Sequence, residues 1–577
     1  MNFCRVSRFF NLFFVLVFSL AFFASVAVLG HNSLPSKQIK STFPNKHKAY
    51  WIKIPIQKPN KQFMVHTKIP AYLNVREFGA RGDGVNDDQS TIVQGIAAAE
   101  RLHLPLYFPP GNYLHSGLLV DNGAALFGAG ASSIVTATNS SFGAIELTGN
   151  GPSLSSMALQ YANPVQASFN LPDTAPQAGD VWVQSATNFA VSNVTMTNSS
   201  QNNMDIFQSS TGIISNNQVT TISSMDDGIQ IVDSDNVQLS SNNFAFAGTN
   251  AAIDALYGNT GSQNLSITAN TIQSNNTTGI YLTGVQSTNV SNNAIYPTGG
   301  SGISVQGQSA SSPSGPVNNL DISGNTIQGS SNYEGIALDD LSGTGNFINN
   351  VQVSQNNIAG SGTAILCSFT GNNINITSNT ASNCGAGILG EFFGNSNNIT
   401  SNIVTNSTGG IQLTGSGSTG NSISISSNTV TNTSSSYGIY VDKFDSVTLS
   451  TNTINTVTGS GYAGFWVNDC ITAIITSNTV QSTNVDGIIF TATTVSTTSA
   501  TISSNNLSNC CLGSSGDIIF VSPQGSTISG LAIQNNNYAG PANNATYYID
   551  SEVPGSATNP NISGNTQTTS LPNNLAP

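Results

Sequence analysis

The stretch Asn264-Leu-Ser-Ile-Thr-Ala-Asn-Thr-Ile272 contains the unit that decides the fold. It consists of a short strand of alternating polar and apolar residues, an asparagine, and a second short run of β-forming residues. The unit recurs to the end of the chain at intervals of about 22–33 residues, a spacing typical of solenoid proteins. Its asparagines are Asn242, Asn270, Asn292, Asn325, Asn356, Asn379, Asn402, Asn428, Asn452, Asn478 and Asn505.

A strand of four or five alternating residues can bury only one face, so each copy must stack on the next. Because no helical period fills the rest of the repeat, we predict an all-β solenoid, a parallel β-helix. The usual bias of crossover connections predicts that it is right-handed. An asparagine suits the corner between two strands, since it tolerates a left-handed backbone and its amide can both donate and accept. The repeated asparagines are therefore expected to form a ladder of hydrogen bonds.

Composition is consistent with one long solenoid. Of the 577 residues, 38% are hydrophobic and only 7% are charged, whereas an average globular domain is about 25% charged. Asparagine, serine, threonine and glycine replace the missing charge. Disorder is not expected, because β-branched residues recur in register.

The N-terminal 30 residues have the three-part layout of a secretory signal peptide: Arg5 and Arg8, an apolar run from Phe9 to about Phe23, and small residues to Gly30. Cleavage after Ala27 or Gly30 is expected, so the protein is predicted to be secreted or held at the cell surface. The apolar stretch is also nearly long enough to span a bilayer, so an uncleaved anchor is the alternative.

Charge divides the remaining chain. Residues 31–70 contain several prolines and no acidic residue, which predicts a basic linker able to contact an anionic envelope. After Arg101 the only cation is Lys443, against twenty-two aspartates and glutamates. An acidic body of this kind argues against nucleic acid as a partner. The linker's cations are Lys37, Lys40, Lys46, Lys48, Lys53, Lys58, Lys61 and Lys68.

The five cysteines that follow the signal segment are odd in number and are spread over distant coils. This distribution predicts neither a disulfide framework nor a metal site, so ordinary buried thiols are expected. No phosphate-binding glycine loop or dinucleotide motif occurs, and we predict no cofactor. The oligomeric state is not specified by the sequence.

A capping module is expected before the repeats. Asp87 or Asp88 can cap a helix over Ser90–Arg101, whose apolar stripe of Ile92, Ile96 and Ala99 would close the open end of the solenoid. We therefore expect the domains 1–30 (signal peptide), 31–70 (linker), 71–565 (β-helix) and 566–577 (tail).

The motifs Phe78-Gly-Ala-Arg-Gly-Asp-Gly-Val-Asn-Asp-Asp88 and Phe108-Pro-Pro-Gly-Asn-Tyr113 resemble the N-terminal module of the pectate lyase superfamily. With the repeats, the resemblance covers most of residues 73–565. It implies a right-handed parallel β-helix and a role with carbohydrate. The superfamily contains several activities, so the resemblance does not choose among them.

Residues 203–231 hold the best candidate for a catalytic site. Asp205 and Asp226 are separated by 21 residues, about one coil, so their carboxyl groups could lie on neighbouring strands with Asp227 beside them. The stretch resembles the aspartate elements of polygalacturonases, which implies an inverting hydrolysis with Asp226 as general acid and Asp205 and Asp227 as bases. We also predict that Asn203, Asp254 and Tyr257 contact the substrate.

The stretch departs from the polygalacturonase pattern in two places. Gly248-Thr-Asn250 stands where that family has Gly-His-Gly, and no histidine follows His115. The cations that grip a uronate carboxylate have no counterpart either, and an acidic groove should repel a uronate polymer. A lyase is disfavoured for a similar reason, because elimination next to a uronate needs a basic residue and a cation.

Two functions therefore remain open: a glycosidase that acts on a neutral or weakly charged glycan, and a non-catalytic adhesion solenoid that binds glycan or protein. In the second case the aspartates are corner residues, since an acid before Gly-Ile recurs at Glu334 and Asp486. Weaker candidate acids are Asp339, Asp340, Glu391, Asp442, Asp445 and Asp469. Aromatic residues that could stack on sugar rings or fill the core are Tyr257, Tyr281, Tyr333, Phe392, Tyr440 and Trp466.

Overall fold

The computed structural model describes most of the chain after residue 70. Residues 50–56 and 63–69 are described by their backbone alone. The fully described ranges are 71–139, 144–163, 179–199, 201–221, 226–308, 315–343, 347–392, 394–417, 420–513, 515–541, 543–553 and 560–576.

The chain divides into two units, Met1–Ile69 and Pro70–Pro577. In the first unit, the strand Tyr50–Ile56 pairs in antiparallel fashion with Phe63–Ile69. This hairpin lies within the segment 31–70 that was predicted to be a linker. The predicted signal segment 1–30 lies outside the described residues. Among the helices of the described ranges, none has the length and apolar character needed to cross a membrane.

The second unit is a β-solenoid of about 17 turns, and the prediction of an all-β parallel β-helix is confirmed. Each turn contributes strands to three stacks, which we call sheets A, B and C, and strands within a stack pair in parallel. Because side chains alternate along each strand, one set points into a continuous core and the other points out.

Sheet A contains Leu119–Asp121, Ile145–Asn150, Val181–Thr187, Met204–Phe207, Ile229–Val232, Ala251–Leu256, Thr278–Thr283, Ile303–Gly307, Glu334–Asp340, Thr363–Thr370, Ala386–Phe392, Gly409–Gly415, Ile439–Asp442, Phe465–Asn468, Ile488–Thr491, Gly516–Ser522, Ala545–Ser551 and Asn574–Leu575. Sheet B contains Leu73–Asn74, Leu106–Phe108, Ala125–Gly128, Ser153–Ser155, Ala190–Ser192, Ser210–Ser215, Asp235–Ser240, Ser266–Thr268, Asn289–Ser291, Val317–Ser323, Ile348–Ser354, Ile374–Thr377, Asn397–Thr400, Ser422–Ser426, Ser446–Ser450, Thr472–Thr476, Ser499–Ser503, Leu531–Gln534 and Asn561–Ser563. Sheet C contains Asp83–Asp87, Gly111–His115, Ser133–Ala137, Ala158–Tyr161, Thr195–Thr197, Gln218–Thr220, Asn243–Phe246, Thr271–Ser274, Ala294–Pro297, Thr326–Gln328, Asn357–Ala359, Thr380–Ser382, Ile403–Thr405, Thr429–Thr433, Thr453–Val457, Thr479–Thr483, Asn506–Ser508, Asn537–Ala539 and Thr566–Gln567.

The expected asparagine ladder lies at the tight corner between sheets B and C. Each amide nitrogen donates to the side-chain oxygen of the asparagine one turn further on, as from Asn402 to Asn428 at 3.0 Å and from Asn428 to Asn452 at 3.0 Å. The amide nitrogen also donates to a strand carbonyl, so both the nitrogen and the oxygen of the ladder amide are paired, as at Asn428. The ladder residues are Asn217, Asn242, Asn270, Asn293, Asn325, Asn356, Asn379, Asn402, Asn428, Asn452, Asn478, Asn505, Asn536 and Asn565.

The ladder differs from the predicted one in a single residue and in the reason why its position requires asparagine. The ladder uses Asn293, and its neighbour Asn292 instead takes the left-handed backbone conformation with φ 56°. At the other corners the residue before the ladder asparagine, such as Ser241 or Ser427, takes this conformation. The ladder position thus requires asparagine for its amide, because the left-handed turn falls on the preceding residue.

The predicted capping helix spans Gln89–Leu102 and buries Ile92, Ile96 and Ala99 against the first turns of the solenoid. The Asp87 carboxylate accepts from the backbone N–H of Gln89 at 2.9 Å, whereas the side chain of the N-cap residue Asp88 makes no cap hydrogen bond. Asp88 instead holds the preceding loop through the N–H groups of Arg81 and Gly82.

Pairing continues beyond residue 565, where the tail was expected to begin. Thr566–Gln567 pairs with Asn537–Ala539, and Asn574–Leu575 pairs with the sheet A strand Ala545–Ser551. The five cysteines of the solenoid are free and buried. Burial raises the pKa of the Cys367 and Cys470 thiols to about 12, which makes them poor nucleophiles.

Candidate functional site: an aspartate cluster on sheet A

Sheet A brings two of the predicted aspartates into one outward-facing column. Asp205 lies opposite Gln230 on the next strand, and Gln230 lies opposite Asp254 on the strand after that. The flanking residues Ile206 and Ile253 point into the core, so the alternation of the strand directs the carboxyl groups to the other face.

Asp226 and Asp227 precede the strand Ile229–Val232 and lie at the corner where the chain enters sheet A. Asp227 is enclosed: its carboxylate accepts from the N–H of Ala251 at 3.0 Å and from the Gln230 amide at 3.2 Å. Asp226 is half-buried and accepts from the Thr249 hydroxyl at 3.2 Å. Because Asp226 and Asp227 lie before the strand begins, they are not bound by its strict alternation, and both can belong to one site.

Asp180, which the sequence did not single out, completes the group. Val181 pairs with Met204, so Asp180 aligns with Asn203, whose amide donates to the Asp180 carboxylate at 3.0 Å. The neighbouring Asn202 amide donates to Asp205 at 2.5 Å, and Asn202 accepts from the N–H of Asp227 at 2.8 Å. The 23-residue spacing between Asp180 and Asn203 was the signal available in the sequence. We call Asp180, Asp205, Asp226, Asp227 and Asp254 the aspartate cluster.

A glycine permits the close approach of the chain to this cluster. A β-carbon at Gly179 would lie 3.2 Å from a carboxylate oxygen of Asp205 and 2.9 Å from the carbonyl oxygen of Asn202. The Tyr161 hydroxyl donates to the Gly179 carbonyl at 2.9 Å, which fixes the backbone beside Asp205.

Burial raises the pKa of several cluster carboxyls. The pKa of Asp180 lies well above the ordinary value because the group is wholly buried. Burial and the nearby Asp254, Asp226 and Asp205 raise the pKa of Asp227, and burial and Asp226 raise the pKa of Asp254. Burial also raises the pKa of Asp226. Because Asp254 helps to raise the pKa of Asp227, the two carboxyls favour a shared proton.

The carboxyl groups of the aspartate cluster differ in their exposure to solvent. Asp205 is 3% exposed and Asp227 and Asp254 are 0% exposed, so Asp226 is the carboxyl that an approaching molecule meets first. Within the described ranges, no group of three or more histidine, cysteine, aspartate or glutamate side chains is arranged to hold a metal ion.

The predicted contact residues take different positions. Asn203 and Asp254 belong to the cluster, where the Asn250 amide donates to Asp254 at 2.8 Å. Tyr257 follows the strand Ala251–Leu256, and its ring lies against the backbone of Gly284 and Gly315 in later turns. Tyr257 therefore packs among turns of the solenoid, beyond the strand that carries Asp254.

The corner position of Asp227 has a structural use elsewhere in the solenoid. At the equivalent corners, Asp486 accepts from the N–H of Asp517, and Asp517 accepts from the N–H of Tyr547 at 2.9 Å. Asp227 makes the same contact with Ala251 one turn further on. The fold therefore explains the hydrogen bond between Asp227 and Ala251. It does not explain why Asp180, Asp205 and Asp254 lie near Asp227.

Two of the weaker candidate acids accept hydrogen bonds from loop backbone, Asp340 in its own loop and Asp469 in a loop one turn further on. Asp340 accepts from the N–H groups of Ser342 and Phe347 at 3.0 and 2.9 Å. Asp469 accepts from the N–H groups of Thr493, Thr494 and Val495. These carboxylates stabilise turns, as acidic corner residues are expected to do.

Buried acids outside the cluster predict an unusual dependence of stability on pH. Burial raises the pKa of Asp121 to about 7 and that of Asp486 to about 6. Since the folded pKa exceeds the unfolded one, the contribution of each group is complete below about pH 4 and is lost as the pH rises to 7. We expect the thermal midpoint to fall between pH 5 and pH 8 in buffers of constant ionic strength.

The Asp486→Asn variant provides the control for this titration. Asparagine keeps the oxygen that accepts from Asp517 but cannot ionise, so the fall should become shallower by about 1–3 kcal/mol in the free energy of unfolding. A thermal midpoint that is highest at pH 8, or an unchanged slope in the variant, would contradict this assignment.

Comparison with known families agrees with the geometry. Residues 72–281 match the family model described as rhamnogalacturonase A/epimerase, pectate lyase-like, and residues 254–423 match that of the right-handed β-helix region. The chain is a parallel β-helix protein with a pectate lyase-like segment. The second match also confirms the predicted right-handed class of the solenoid. No curated protein matches the sequence.

Solved structures of similar fold include two viral proteins and a bacterial surface protein. ORF18 of Geobacillus virus E2 is 14% identical over 62% of this chain and 66% of its own, with a TM-score of 0.35. The N-terminal fragment of gene product 12 of bacteriophage Phi29 is 14% identical over 86% and 91%, with a TM-score of 0.43. A surface adhesin of Streptococcus pneumoniae is 14% identical over 78% and 91%, with a TM-score of 0.36. The chain spans about two thirds of the length of the first of these, and such likeness concerns the fold alone.

Proposed function

We propose that this protein hydrolyses an uncharged polysaccharide at the aspartate cluster. The observation that carries the proposal is the convergence of carboxyl groups from successive turns, with Asp226 half-exposed and its pKa raised by burial. A general acid must keep its proton near the working pH, and a raised carboxyl pKa meets that need. Proteins with this fold have several activities, so the proposed function must rest on the residues of the site.

The proposed role of Asp226 follows from its access to solvent. Asp226 donates its proton to the glycosidic oxygen as the bond to the anomeric carbon breaks. Asp205, oriented by the Asn202 amide at 2.5 Å, takes a proton from the water whose oxygen attacks that carbon. Asp227 was predicted to share the role of base, but its enclosed carboxylate, which accepts from the Ala251 N–H and the Gln230 amide, suits it better to holding these residues in place.

Charge favours a neutral substrate. No lysine or arginine occurs between Arg101 and Lys443, so nothing in the cluster can pair with the carboxylate of a uronate. The summed field of the acids would oppose the approach of an anionic polymer. We therefore propose a neutral glycan, which can donate hydroxyl hydrogens to acidic oxygens.

A second candidate function is glycan binding without catalysis, as in a surface or adhesion solenoid. The observation in its favour is that Asp227 makes the same backbone contact as the corner residues Asp486 and Asp517. On this hypothesis the carboxyls stay protonated within the wall of the solenoid and only its outer face meets the ligand.

We further propose that the protein acts outside the cytoplasm, secreted or at the cell surface. The layout of residues 1–30 supports export, and the basic segment 31–70 suits contact with an anionic envelope. N-terminal sequencing of the exported protein should find Val28 or His31 as the first residue. Recovery of Met1 on membranes would favour the uncleaved anchor.

The proposed hydrolysis is tested by the release of new reducing ends. The wild-type protein and the Asp226→Asn variant are incubated with xyloglucan, galactomannan, arabinogalactan and β-1,3-glucan, with polygalacturonate as the charged comparison. Release from a neutral glycan that depends on Asp226 supports the enzyme. Saturable glycan binding with no release would favour the adhesion solenoid.

A further inference from the structure

Four aromatic rings form a cluster on the outer side of sheet A, far from the aspartates. Tyr437, Tyr440, Tyr462 and Trp466 are each half-exposed. Tyr440 and Trp466 lie opposite one another on adjacent strands, while their neighbours Ile439, Val441, Phe465 and Val467 fill the core. We call these four residues the aromatic platform. Tyr440 and Trp466 point away from the core that their strands build, and Tyr462 packs against its edge.

The platform continues the column that carries the catalytic candidates. From Asp254 the paired residues run through Tyr281, Ser304, Ala337, Leu366, Leu389 and Gln412 to Tyr440. Seven strand steps at about 4.8 Å place Tyr440 about 34 Å along the solenoid from Asp254. The side chains between Asp254 and Tyr440 in this column carry no formal charge. A polymer that follows the axis could therefore reach from Tyr440 to the half-exposed Asp226 of the aspartate cluster.

The rings are packed against one another as a surface rather than a cage. The ring centroids of Tyr437 and Trp466 are 5.0 Å apart, those of Tyr440 and Trp466 are 5.1 Å apart, and those of Tyr437 and Tyr462 are 5.0 Å apart. Rings at such distances are in direct contact. No space remains between them for an ammonium group, which an aromatic cage would hold on several ring faces at once.

Polar groups border the platform. Trp466 donates its indole N–H to the Thr491 hydroxyl at 2.8 Å, and the Gln412 amide donates to the Ser436 hydroxyl at 2.7 Å. Asp442 accepts from the Asn468 amide at 3.0 Å and forms the one salt bridge found among the described residues, with Lys443 at 3.7 Å. An apolar face with acceptors and amides at its edge matches a sugar ring, which has apolar C–H faces and a rim of hydroxyls.

We propose that the aromatic platform is a binding subsite for a pyranose ring of an uncharged polysaccharide, about 34 Å from the aspartate cluster along the same column. The choice of ligand rests on the proposed function. The electron-rich faces of the rings attract the C–H faces of the sugar. Asp442 and Asp469 disfavour a uronate, since Lys443 is the single cation nearby and is already paired with Asp442.

The test is affinity electrophoresis in native gels that contain xyloglucan, galactomannan, arabinogalactan, β-1,3-glucan or polygalacturonate. We expect at least one neutral polysaccharide to retard the wild-type protein. Trp466→Ala should weaken that binding at least tenfold, while Trp466→Phe, which keeps a ring, should retain most of it. Tyr296→Ala, which removes a 39% exposed aromatic ring from sheet C, is the matched control and should bind like the wild type. Thermal midpoints establish that each variant is folded.

The outcomes separate this subsite from the catalytic proposal. Asp226→Asn should bind glycan like the wild type, since the platform is intact. Glycan binding lost in Trp466→Ala, together with no release of reducing ends by the wild type, would uphold the platform and reject the hydrolase. Unchanged binding in folded Trp466→Ala, retardation by polygalacturonate alone, no retardation at all, or displacement by tetramethylammonium would each overturn the platform.

Discussion

Replacing Asn428 by aspartate is expected to lower the free energy of unfolding by about 2–4 kcal/mol. Asn428 is 1% exposed and donates to the Ile399 carbonyl at 2.8 Å and to Asn452 at 3.0 Å. Aspartate removes both donors and faces two acceptors with an oxygen. The new carboxyl must either stay charged inside the ladder or take up a proton, and either choice costs stability.

The matched control is Asn432→Asp, which makes the same chemical change on the surface. Asn432 is exposed, has φ 59°, and donates to Asn406 at 2.9 Å. Aspartate tolerates this conformation, so its effect should stay within about 0.5 kcal/mol. Urea and thermal midpoints measure the difference. Equal midpoints for the two variants would mean that the ladder does not support the solenoid.

The fold was predictable because one physical requirement recurs in the sequence. A buried amide that must pair with its copy leaves a visible trace at every turn, as at Asn402, Asn428 and Asn452. Which asparagine of a neighbouring pair belongs to the ladder was harder to predict. At Asn292-Asn293 two asparagines stand side by side, and only backbone geometry shows that the second joins the ladder while the first makes the turn.

The candidate site was predictable in part. The spacing of one turn was enough to expect Asp205, Asp226 and Asp227 near one another, and Asp254 joins them in register. Asp180 was not predictable, because its pairing with Asn203 depends on the register of Val181 with Met204. The burial of the cluster carboxyls could not be predicted either, because the alternation of a strand indicates which face a carboxyl lies on but not what covers that face. Tyr257 lies one residue past its strand, where alternation no longer indicates direction.

Asp226→Asn is expected to lower the rate of glycan hydrolysis by about 10²–10⁴-fold. Asparagine has nearly the same shape and keeps an oxygen for the Thr249 hydroxyl, so the corner should remain folded. It has no acidic proton to give to the leaving oxygen. Because the platform is untouched, the loss should appear in kcat rather than in the affinity for glycan.

The measurement that tests the proposed hydrolase most directly is the initial rate of reducing-end release from a neutral glycan by three proteins side by side. These are the wild type, Asp226→Asn and the control Asp235→Asn, which alters a sheet B carboxylate that accepts from the N–H of Gln263 at 2.9 Å. The aspartate-cluster account predicts equal rates for the wild type and Asp235→Asn, with a loss of at least about 100-fold in Asp226→Asn. A rate for Asp226→Asn equal to that of the wild type, or no release by the wild type from any glycan of the panel, would contradict it.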